Sequence, residues 1–293
     1  MNRPVVVIIA TKDRPNEVSN LLDTLALQTV PPDMIIVSAC EQSDIDESCI
    51  GASNVTVLFG SRGLTAQRNR ALPLVEGKYD IIVFFDDDFI PSRFWIERAE
   101  KLLATEPDVV CVTGKVLLDG ATFGGLEWSE GRALVDRADA SKKAPINEYK
   151  IKDRHSPYGC NMAFRAKVVE HLAFDERLAL YGWLEDRDFS FRAGPRMIWT
   201  DAVWGVHLGA TRGRPSGVSF GYSQVANPLY LARKGTMTSS GASQAVLRAL
   251  AANVLGSLSS SSHIDRWGRL KGNMMAIKDI VLGRCAPERV AEL

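Results

Sequence analysis

The sequence predicts an α/β fold, with a mostly parallel β-sheet flanked by helices and a helical extension at the C-terminus. Short apolar runs rich in Val, Ile and Phe recur at 5–9, 34–37 and 81–85, as in strands that are buried on both faces. Segments with helical periodicity separate these runs, and strands that alternate with helices at this spacing form βαβ units. From residue 220 onward the pattern is helical.

The elements of the N-terminal half follow in a regular order. The first strand ends in a polar turn, and Asn16 is the expected N-cap of a helix whose apolar residues share one face. Pro31 and Pro32 end that helix, and Gly60 and Gly63 form the turn before the next one. The predicted strands are 5–9, 34–37, 55–58 and 81–85, and the predicted helices lie around 16–25 and 64–72.

The second half of the chain is less regular. The segment 136–153 is polar and mixed in charge, which indicates a mobile connection or an inserted loop. We expect strands at 109–113, within 156–165, at 197–199 and at 203–206. We expect helices at 94–103, from Leu184 onward, and near 220–234, 243–258 and 266–283.

Composition restricts the class of protein. With 293 residues and 46% hydrophobic content, the chain can bury a substantial core, as one large domain or as a domain with an appendage. Its 35 basic and 35 acidic residues balance, so nothing indicates nucleic-acid binding. Five scattered cysteines without a CxxC pair argue against a disulfide framework or a zinc site and favour a reducing compartment. Because neither a signal peptide nor an apolar run of about 18 residues is present, we expect a cytoplasmic protein.

The balanced total hides an asymmetry along the chain. Residues 227–293 contain nine basic and four acidic side chains, so this region carries +5 and the remainder −5. Two interpretations of the C-terminal helices stay open. They pack on the body of the protein or in a homodimer, or they contact anionic lipid headgroups at the inner face of the cell membrane.

Three consecutive carboxylates, Asp86, Asp87 and Asp88, directly follow the most apolar strand. In sheets of this kind the ligand crevice lies beyond the carboxyl ends of the strands. Carboxylates clustered at the edge of a core need a cation among them, and their hard oxygen atoms suit Mg²⁺ or Mn²⁺, ions that commonly accompany phosphates. A solvated acidic turn is the alternative interpretation.

Polar and cationic side chains at neighbouring strand ends favour the metal interpretation. Thr11, Asp13 and Arg14 follow the first strand, while Arg62 and Arg68 follow the third. Arginine forks bind phosphate oxygens and carboxylates hold the ion, so the combination suits a nucleotide diphosphate with its metal. Taken singly, each arginine is more commonly a surface salt-bridge residue.

Later motifs extend this candidate site. Glu185 and Asp186 begin a helix beside aromatic residues, where one carboxylate could act as a general base, although the helix macrodipole alone explains acidic residues there. His207 follows a strand, a position where a lone histidine is more commonly a structural hydrogen-bonding group. Beyond it, a glycine-rich segment with Arg212 and Arg214 has the composition of a lid over phosphates or of a surface loop.

The order of these motifs resembles the family 2 inverting glycosyltransferases with a GT-A fold. The resemblance covers roughly residues 5–210 and rests on the following matches: residues 11–14, the run 63–69, the Asp86-Asp87-Asp88 form of the DXD motif, the pair Glu185-Asp186, and His207. It implies a Rossmann-like catalytic domain at 1–218, with a nucleotide-sugar half at about 1–115 and an acceptor half at about 116–218, and a helical extension at 219–293. It also implies Mn²⁺ or Mg²⁺, a nucleotide-diphosphate sugar donor such as a UDP-sugar, and attack by an acceptor hydroxyl with inversion.

The resemblance further implies roles for individual residues. Asp86 would contact the ribose of the donor, Asp88 would bind the metal, and His207 would be a further metal ligand. Asp186 would remove the proton of the acceptor, with Glu185 beside it. From the resemblance, the donor-binding side chains are Thr11, Asp13, Arg14, Glu41, Arg68 and Asp86, and the residue pattern described above adds Arg62, Arg212 and Arg214. No role is predicted for Asp87, and residues 38–41 lack the early Asp or Asn that the family commonly has there.

The sequence therefore predicts a metal-dependent inverting glycosyltransferase of polysaccharide biosynthesis, acting on an oligosaccharide or lipid-linked acceptor. Two other classes stay open. A nucleotidyltransferase of similar fold would carry a glycine-rich phosphate loop after the first strand, and residues 11–15 contain no glycine. An inactive sugar-nucleotide sensor or scaffold would bind the donor without turnover, and the intact Glu185-Asp186 pair argues against that class.

Overall fold

A computed structural model describes residues 3–49, 51, 53–141, 148–154, 156–213, 215–258 and 263–293. The chain divides into two compact units. The first comprises Met1–Arg62, Gln67–Ala173 and Ala193–Gly213, and the second comprises Gly63–Ala66, Phe174–Arg192 and Arg214–Leu293. Within the described ranges, no helix combines the length and the apolar character that crossing a membrane requires.

The strands, in chain order, are β1 (Val5–Ala10), β2 (Met34–Ala39), β3 (Val55–Phe59), β4 (Ile81–Asp86), β5 (Phe89–Pro91), β6 (Cys111–Asp119), β7 (Ile151–Arg154), β8 (Asn161–Arg165) and β9 (Met197–His207). The helices are α1 (Pro15–Ala26), α2 (Leu64–Val75), α3 (Trp95–Thr105), α4 (Trp128–Ser141), α5 (Ala166–Val169), α6 (Glu185–Ala193), α7 (Gly217–Lys234), α8 (Ser239–Ser257) and α9 (Arg266–Val281).

One sheet in the order β3-β2-β1-β4-β8-β6-β9-β5 forms the centre of the first unit, and β7 pairs with β9. Strands β1 to β4 are mutually parallel, and the antiparallel β8 joins β4 to β6. The α/β class predicted from the alternating pattern is confirmed. Because Ala10 lies opposite Asp86 in the parallel register, the carboxyl ends of β1 and β4 meet at one edge of the sheet.

The apolar runs behave as their composition predicts. Residues 5–9 and 81–85 are buried almost completely, as expected for strands covered on both faces. At the end of β4 the ring of Phe85 stacks on Phe89, with centroids 5.5 Å apart, and meets Trp95 edge-on at 4.8 Å. This aromatic cluster holds the turn that carries the acidic residues against the core.

Several local predictions are wrong. Helix α1 begins at Pro15 with Arg14 in the N-cap position, so Asn16 lies inside the helix, because proline at the first helical position needs no N–H partner. The two short strands predicted at 197–206 are the single strand β9, which changes register against β6. Only the end of the strand predicted within 156–165 is a strand, β8.

The described ends of the segment 136–153 form regular structure, which the sequence did not predict. Helix α4 extends to Ser141 and β7 begins at Ile151, while residues 142–147 lie outside the described part of the chain. The carboxylate of Asp139 is buried and accepts hydrogen bonds from Ser92 Oγ at 2.6 Å and from Trp204 Nε1 at 2.8 Å. Because the hydrogen-bond partners of Asp139 lie far away in the sequence, the local pattern does not show that this carboxylate can be buried.

Helices α7, α8 and α9 belong to the second unit and confirm the predicted helical C-terminus. A Cβ atom at Gly272 of α9 would lie 2.0 Å from the carbonyl oxygen of Val218, so glycine allows α7 and α9 to approach closely. Between the helices, Asn253 Nδ2 donates to Asn273 Oδ1 at 2.8 Å, and both side chains are fully buried. These contacts determine which helix faces turn inward.

Candidate active site

The end of β4 and the end of β9 come together through the short strand β5. In the antiparallel β5–β9 register Phe89 lies opposite His207, and Leu208 N–H donates to the carbonyl oxygen of Asp88 at 2.8 Å. A Cβ atom at Gly205 would lie 2.5 Å from the carbonyl oxygen of Ile90, so only glycine permits this approach. The pairing therefore places His207 beside the acidic turn, although about 120 residues separate them in sequence.

Asp86, Asp88 and His207 each offer one ligand atom, and these atoms all lie within 4.8 Å of one another. Asp88 and His207 are 3% and 8% exposed. Carboxylate oxygens with one imidazole nitrogen are donors that suit Mn²⁺ or Mg²⁺. These three side chains fit a divalent cation in their residue types and their proximity, and two of them are buried.

Asp119, at the end of β6, contacts the ring nitrogen of His207 that faces away from Asp88. Its Oδ1 lies 2.9 Å from His207 Nδ1, and Tyr158 donates its hydroxyl proton to Asp119 Oδ2 at 2.8 Å. A carboxylate on the far nitrogen of a metal-binding histidine orients the other nitrogen toward the metal. Here that other nitrogen, Nε2, lies 3.3 Å from Asp88 Oδ1. Sequence reasoning missed Asp119 because the predicted strand ended at residue 113.

Burial and neighbouring charges shift the pKa values of His207 and Asp88 in opposite directions. Burial lowers the pKa of His207, but the charge of Asp88 and the hydrogen bond with Asp119 outweigh burial and raise it to about 10. Burial raises the pKa of Asp88, yet His207 and Arg14 bring it below its usual range. The two neighbouring carboxylates therefore favour the protonated form of His207. Coordination of a metal requires this ring to give up its proton.

The structure explains Asp87, to which the sequence assigned no role. Its carboxylate accepts the Thr11 hydroxyl proton at 2.7 Å and an Arg14 Nη1–H bond at 2.6 Å. Arg14 also donates to the carbonyl oxygens of Ala210 at 3.0 Å and Arg212 at 2.8 Å. Asp87 thus ties the turn after β1 to the acidic turn, and through Arg14 to the segment after β9.

Replacement of Asp87 by asparagine should lower the free energy of unfolding by about 2 kcal/mol, because it leaves a mostly buried guanidinium without its closest counter-charge. Arg14 keeps Asp88 at 3.4 Å and two carbonyl partners, which limits the loss. Urea unfolding monitored by circular dichroism measures the change. The matched control is Asp136→Asn, which removes an exposed pair with Arg132 and should cost less than about 0.5 kcal/mol. Equal losses in the two variants would contradict the anchoring role of Asp87.

Arg68 lies against Asp86, with Nη2 3.0 Å from Oδ1, and also donates to the carbonyl oxygen of Gly159 at 3.0 Å. Its side chain is almost completely buried. The side chains of Arg62 and Arg212 are exposed, and Arg212 meets Arg14 through its backbone. Arg214 lies outside the described residues. Of the predicted arginines within the described residues, Arg14 and Arg68 are therefore the ones shown to contact the acidic turn.

A second polar cluster lies at the ends of β1 and β2. Asp44 is fully buried and accepts N–H bonds from Asp13 at 2.8 Å, Cys40 at 2.9 Å and Glu41 at 3.0 Å. Burial raises the pKa of Asp44, but these N–H bonds bring it below its usual range. Lys12 bridges Glu41 and Asp44. Asp13 and Glu41 were predicted site residues, whereas Lys12 and Asp44 were not.

In the second unit, Glu185 and Asp186 begin helix α6 after a strained segment. Leu180, Gly182 and Leu184 have φ angles of 58°, 67° and 74°, a left-handed conformation that is uncommon for leucine. Residues in such conformations cost of order 1 kcal/mol or more and concentrate at functional sites. Glu185 is buried, while Asp186 is partly exposed and accepts the N–H of Arg187 at 2.7 Å.

A sheet with an acidic cluster at the carboxyl ends of its strands is typical of α/β enzymes that bind nucleotides at that edge. Residues 6–173 match the sequence profile of glycosyl transferase family 2. The chain belongs to glycosyl transferase family 2. A search of curated proteins found no match.

Solved structures show the same fold at low sequence identity. The mannosyltransferase PcManGT from Pyrobaculum calidifontis, in complex with GDP-Man and Mn²⁺, is 17% identical with a TM-score of 0.52, covering 99% of this chain and 83% of that one. Residues 1–349 of TarS from S. aureus, in complex with UDP-GlcNAc, are 15% identical with a TM-score of 0.51, covering 78% and 66%. In another TarS structure, 16% identical with a TM-score of 0.49, the match again covers 78% of this chain but only 40% of TarS. At this identity the likeness concerns the fold alone.

Proposed function

We propose that this protein is a metal-dependent inverting glycosyltransferase that moves a sugar from a nucleotide-diphosphate donor to an acceptor hydroxyl. The observation that carries the proposal is the cluster of Asp86, Asp88 and His207, in which Asp88 and His207 are buried and the ligand atoms lie within 4.8 Å of one another. The similar structures were solved with UDP-GlcNAc or with GDP-Man and Mn²⁺, which supports a nucleotide-sugar donor and a divalent cation. We further propose a UDP-sugar donor and an oligosaccharide or lipid-linked acceptor in polysaccharide biosynthesis.

In this proposal Asp86, Asp88 and His207 would hold Mn²⁺ or Mg²⁺, and the ion would supply Lewis-acid stabilisation of a diphosphate leaving group. Asp119 fixes the ring of His207, and Arg68 fixes Asp86. The ribose and base of the donor contact Asp86 and the polar rim of Thr11, Asp13, Arg14 and Glu41. Arg62, Arg212 and Arg214 are the proposed contacts of the diphosphate. The catalytic part would span residues 1–218, and residues 219–293 would form the extension.

Asp186 is the proposed general base. As the acceptor oxygen bonds to the anomeric carbon, the bond from that carbon to the diphosphate oxygen breaks and the acceptor proton passes to the carboxylate of Asp186. The leaving diphosphate needs no proton, so one carboxylate suffices, in contrast to the pair that a glycosidase uses. Direct displacement inverts the configuration at the anomeric carbon. Glu185, beside the base, is the proposed contact of the acceptor or the transferred sugar.

A thermal-shift screen of nucleotide sugars, each with and without Mn²⁺, tests the proposed function. The correct donor should raise the melting temperature by several degrees with Mn²⁺, since ligand at a hundred times its Kd stabilises the native state by about 2.7 kcal/mol. Nucleoside triphosphates serve as the control for a nucleotidyltransferase. Stabilisation by triphosphates alone, or no response to any nucleotide sugar, would refute the proposal. For a donor that binds, NMR of the product shows whether the anomeric configuration has inverted.

A further inference from the structure

Large apolar side chains that face solvent concentrate on helices α8 and α9. The C-terminal apolar face comprises Leu247, Val254, Leu255, Leu258, Trp267, Met274 and Val281. Their exposed fractions run from 46% to 82%. Isolated exposed apolar residues are ordinary, but seven on two helices that contact each other through Asn253 and Asn273 are typical of an interaction surface.

The spacing of these residues matches the helix geometry. Leu247, Val254 and Leu255 of α8, with Leu258 directly after it, share one helix face, and that face is opposite the one that buries Ala242, Ala249 and Asn253. On α9 they recur every seven residues, while Gly272 and Ala276 are buried. Because the inward faces are already occupied by packing against α7, the apolar residues are not unused core positions of this unit.

Charged residues on the same helices are mainly basic. Arg248, Lys271 and Lys278 are exposed, and Lys271 and Lys278 alternate with the apolar residues of α9. From 239 to 281 the sequence contains two acidic residues. Asp265 caps α9 by accepting the N–H of Gly268 at 2.7 Å, and Asp279 is buried against Arg284 and Arg289. The outward surface is therefore apolar with a positive charge.

The combination of apolar and basic side chains favours an anionic membrane surface, and not a second copy of the chain, as the partner of this face. A two-fold dimer through this face would bring the same patch of both copies together, so that two positively charged surfaces would meet. An anionic bilayer instead offers negative headgroups to the basic side chains, an interfacial position to Trp267, and an apolar boundary to the leucines. We propose that the C-terminal apolar face docks on a membrane surface rich in anionic lipid. The proposal goes beyond the proposed transferase function and does not depend on it.

Co-sedimentation of the full chain with vesicles tests this docking. Binding should be strong to phosphatidylcholine vesicles that contain about one third phosphatidylglycerol, weak to phosphatidylcholine alone, and reduced by added salt. The double change Lys271→Glu with Lys278→Glu should weaken binding at least about thirtyfold, since each basic residue near the surface contributes about a fivefold effect. Leu255→Asp with Leu258→Asp should weaken it at least about tenfold.

Matched controls come from exposed residues of the first unit. Leu27→Asp and Lys167→Glu change the same residue types at exposed positions and should leave vesicle binding unchanged. Thermal melting confirms that each variant is folded. Equal binding to neutral and anionic vesicles, or equal losses in the control variants, would overturn the proposal. So would a stable dimer in sedimentation velocity that dissociates in the Leu255→Asp, Leu258→Asp variant while the native chain fails to bind vesicles.

Discussion

Replacement of Asp88 by asparagine should lower the rate of sugar transfer about a thousandfold or more, because removing one charge-stabilising group from a preorganised site typically costs 10²–10³-fold and this group also holds the proposed ion. Asp88 lies 3.3 Å from His207 Nε2 and accepts the N–H of Ala210 at 2.7 Å. Asparagine keeps the shape of the side chain but removes the negative charge. The measurements are kcat over a range of Mn²⁺ concentrations and the Kd for Mn²⁺ by calorimetry.

Asp139→Asn is the matched control for Asp88→Asn, because both carboxylates are buried in the first unit and accept hydrogen bonds. Asp139 accepts hydrogen bonds from Ser92 and Trp204, so its replacement should lower the stability of the protein without changing the affinity for Mn²⁺. Activity of Asp88→Asn within a fewfold of the native protein, or an unchanged Kd for Mn²⁺, would exclude Asp88 as a metal ligand. Restoration of the full rate at ordinary Mn²⁺ concentrations would exclude it as well.

Replacement of Asp186 by asparagine should lower kcat about 10²–10⁴-fold while donor binding survives, since this is the usual contribution of a positioned general base. Asparagine can keep the hydrogen bond from the N–H of Arg187 but cannot take a proton from the acceptor. Single-turnover transfer with saturating donor measures the chemical step. A thermal shift with the donor and Mn²⁺ measures binding separately.

The neighbouring Glu185→Gln variant distinguishes the two carboxylates. Glu185 is 6% exposed and should affect mainly the affinity for the acceptor, so its KM should change more than its kcat. The opposite result is a large loss of kcat in Glu185→Gln together with a native kcat in Asp186→Asn. That result would identify Glu185 as the base. Loss of donor binding in Asp186→Asn would indicate structural damage rather than a missing base.

Much of the fold was predictable because it depends on local patterns. Uninterrupted apolar runs at 5–9 and 81–85 indicate buried strands, and their alternation with helices indicates a parallel arrangement. Helices α7 to α9 were also predictable from their periodicity. The prediction failed where distant partners decide the conformation, as at Asp139, whose carboxylate is satisfied by Ser92 and Trp204.

The sequence shows which residue types the candidate site contains, but it does not show which of them contact one another. Strand order alone places the turn after β1 near the acidic turn after β4, since parallel strands end at the same edge. The approach of His207 depends on the antiparallel pairing of β5 with β9, and no sequence pattern of so short a strand predicts it. The same holds for Asp119, which becomes visible only once β6 is seen to extend six residues beyond its predicted end.

The sequence by itself determined the α/β class, the acidic turn at a strand end and the helical C-terminus, because these follow from periodicity and composition within short windows. The tertiary structure was needed to show the partner of each aspartate: Asp86 pairs with Arg68, Asp87 with Arg14, and Asp88 lies beside His207. It also decided which apolar residues of α8 and α9 remain outside. Both outcomes depend on contacts between segments that are far apart in the chain, and short stretches of sequence do not reveal such contacts.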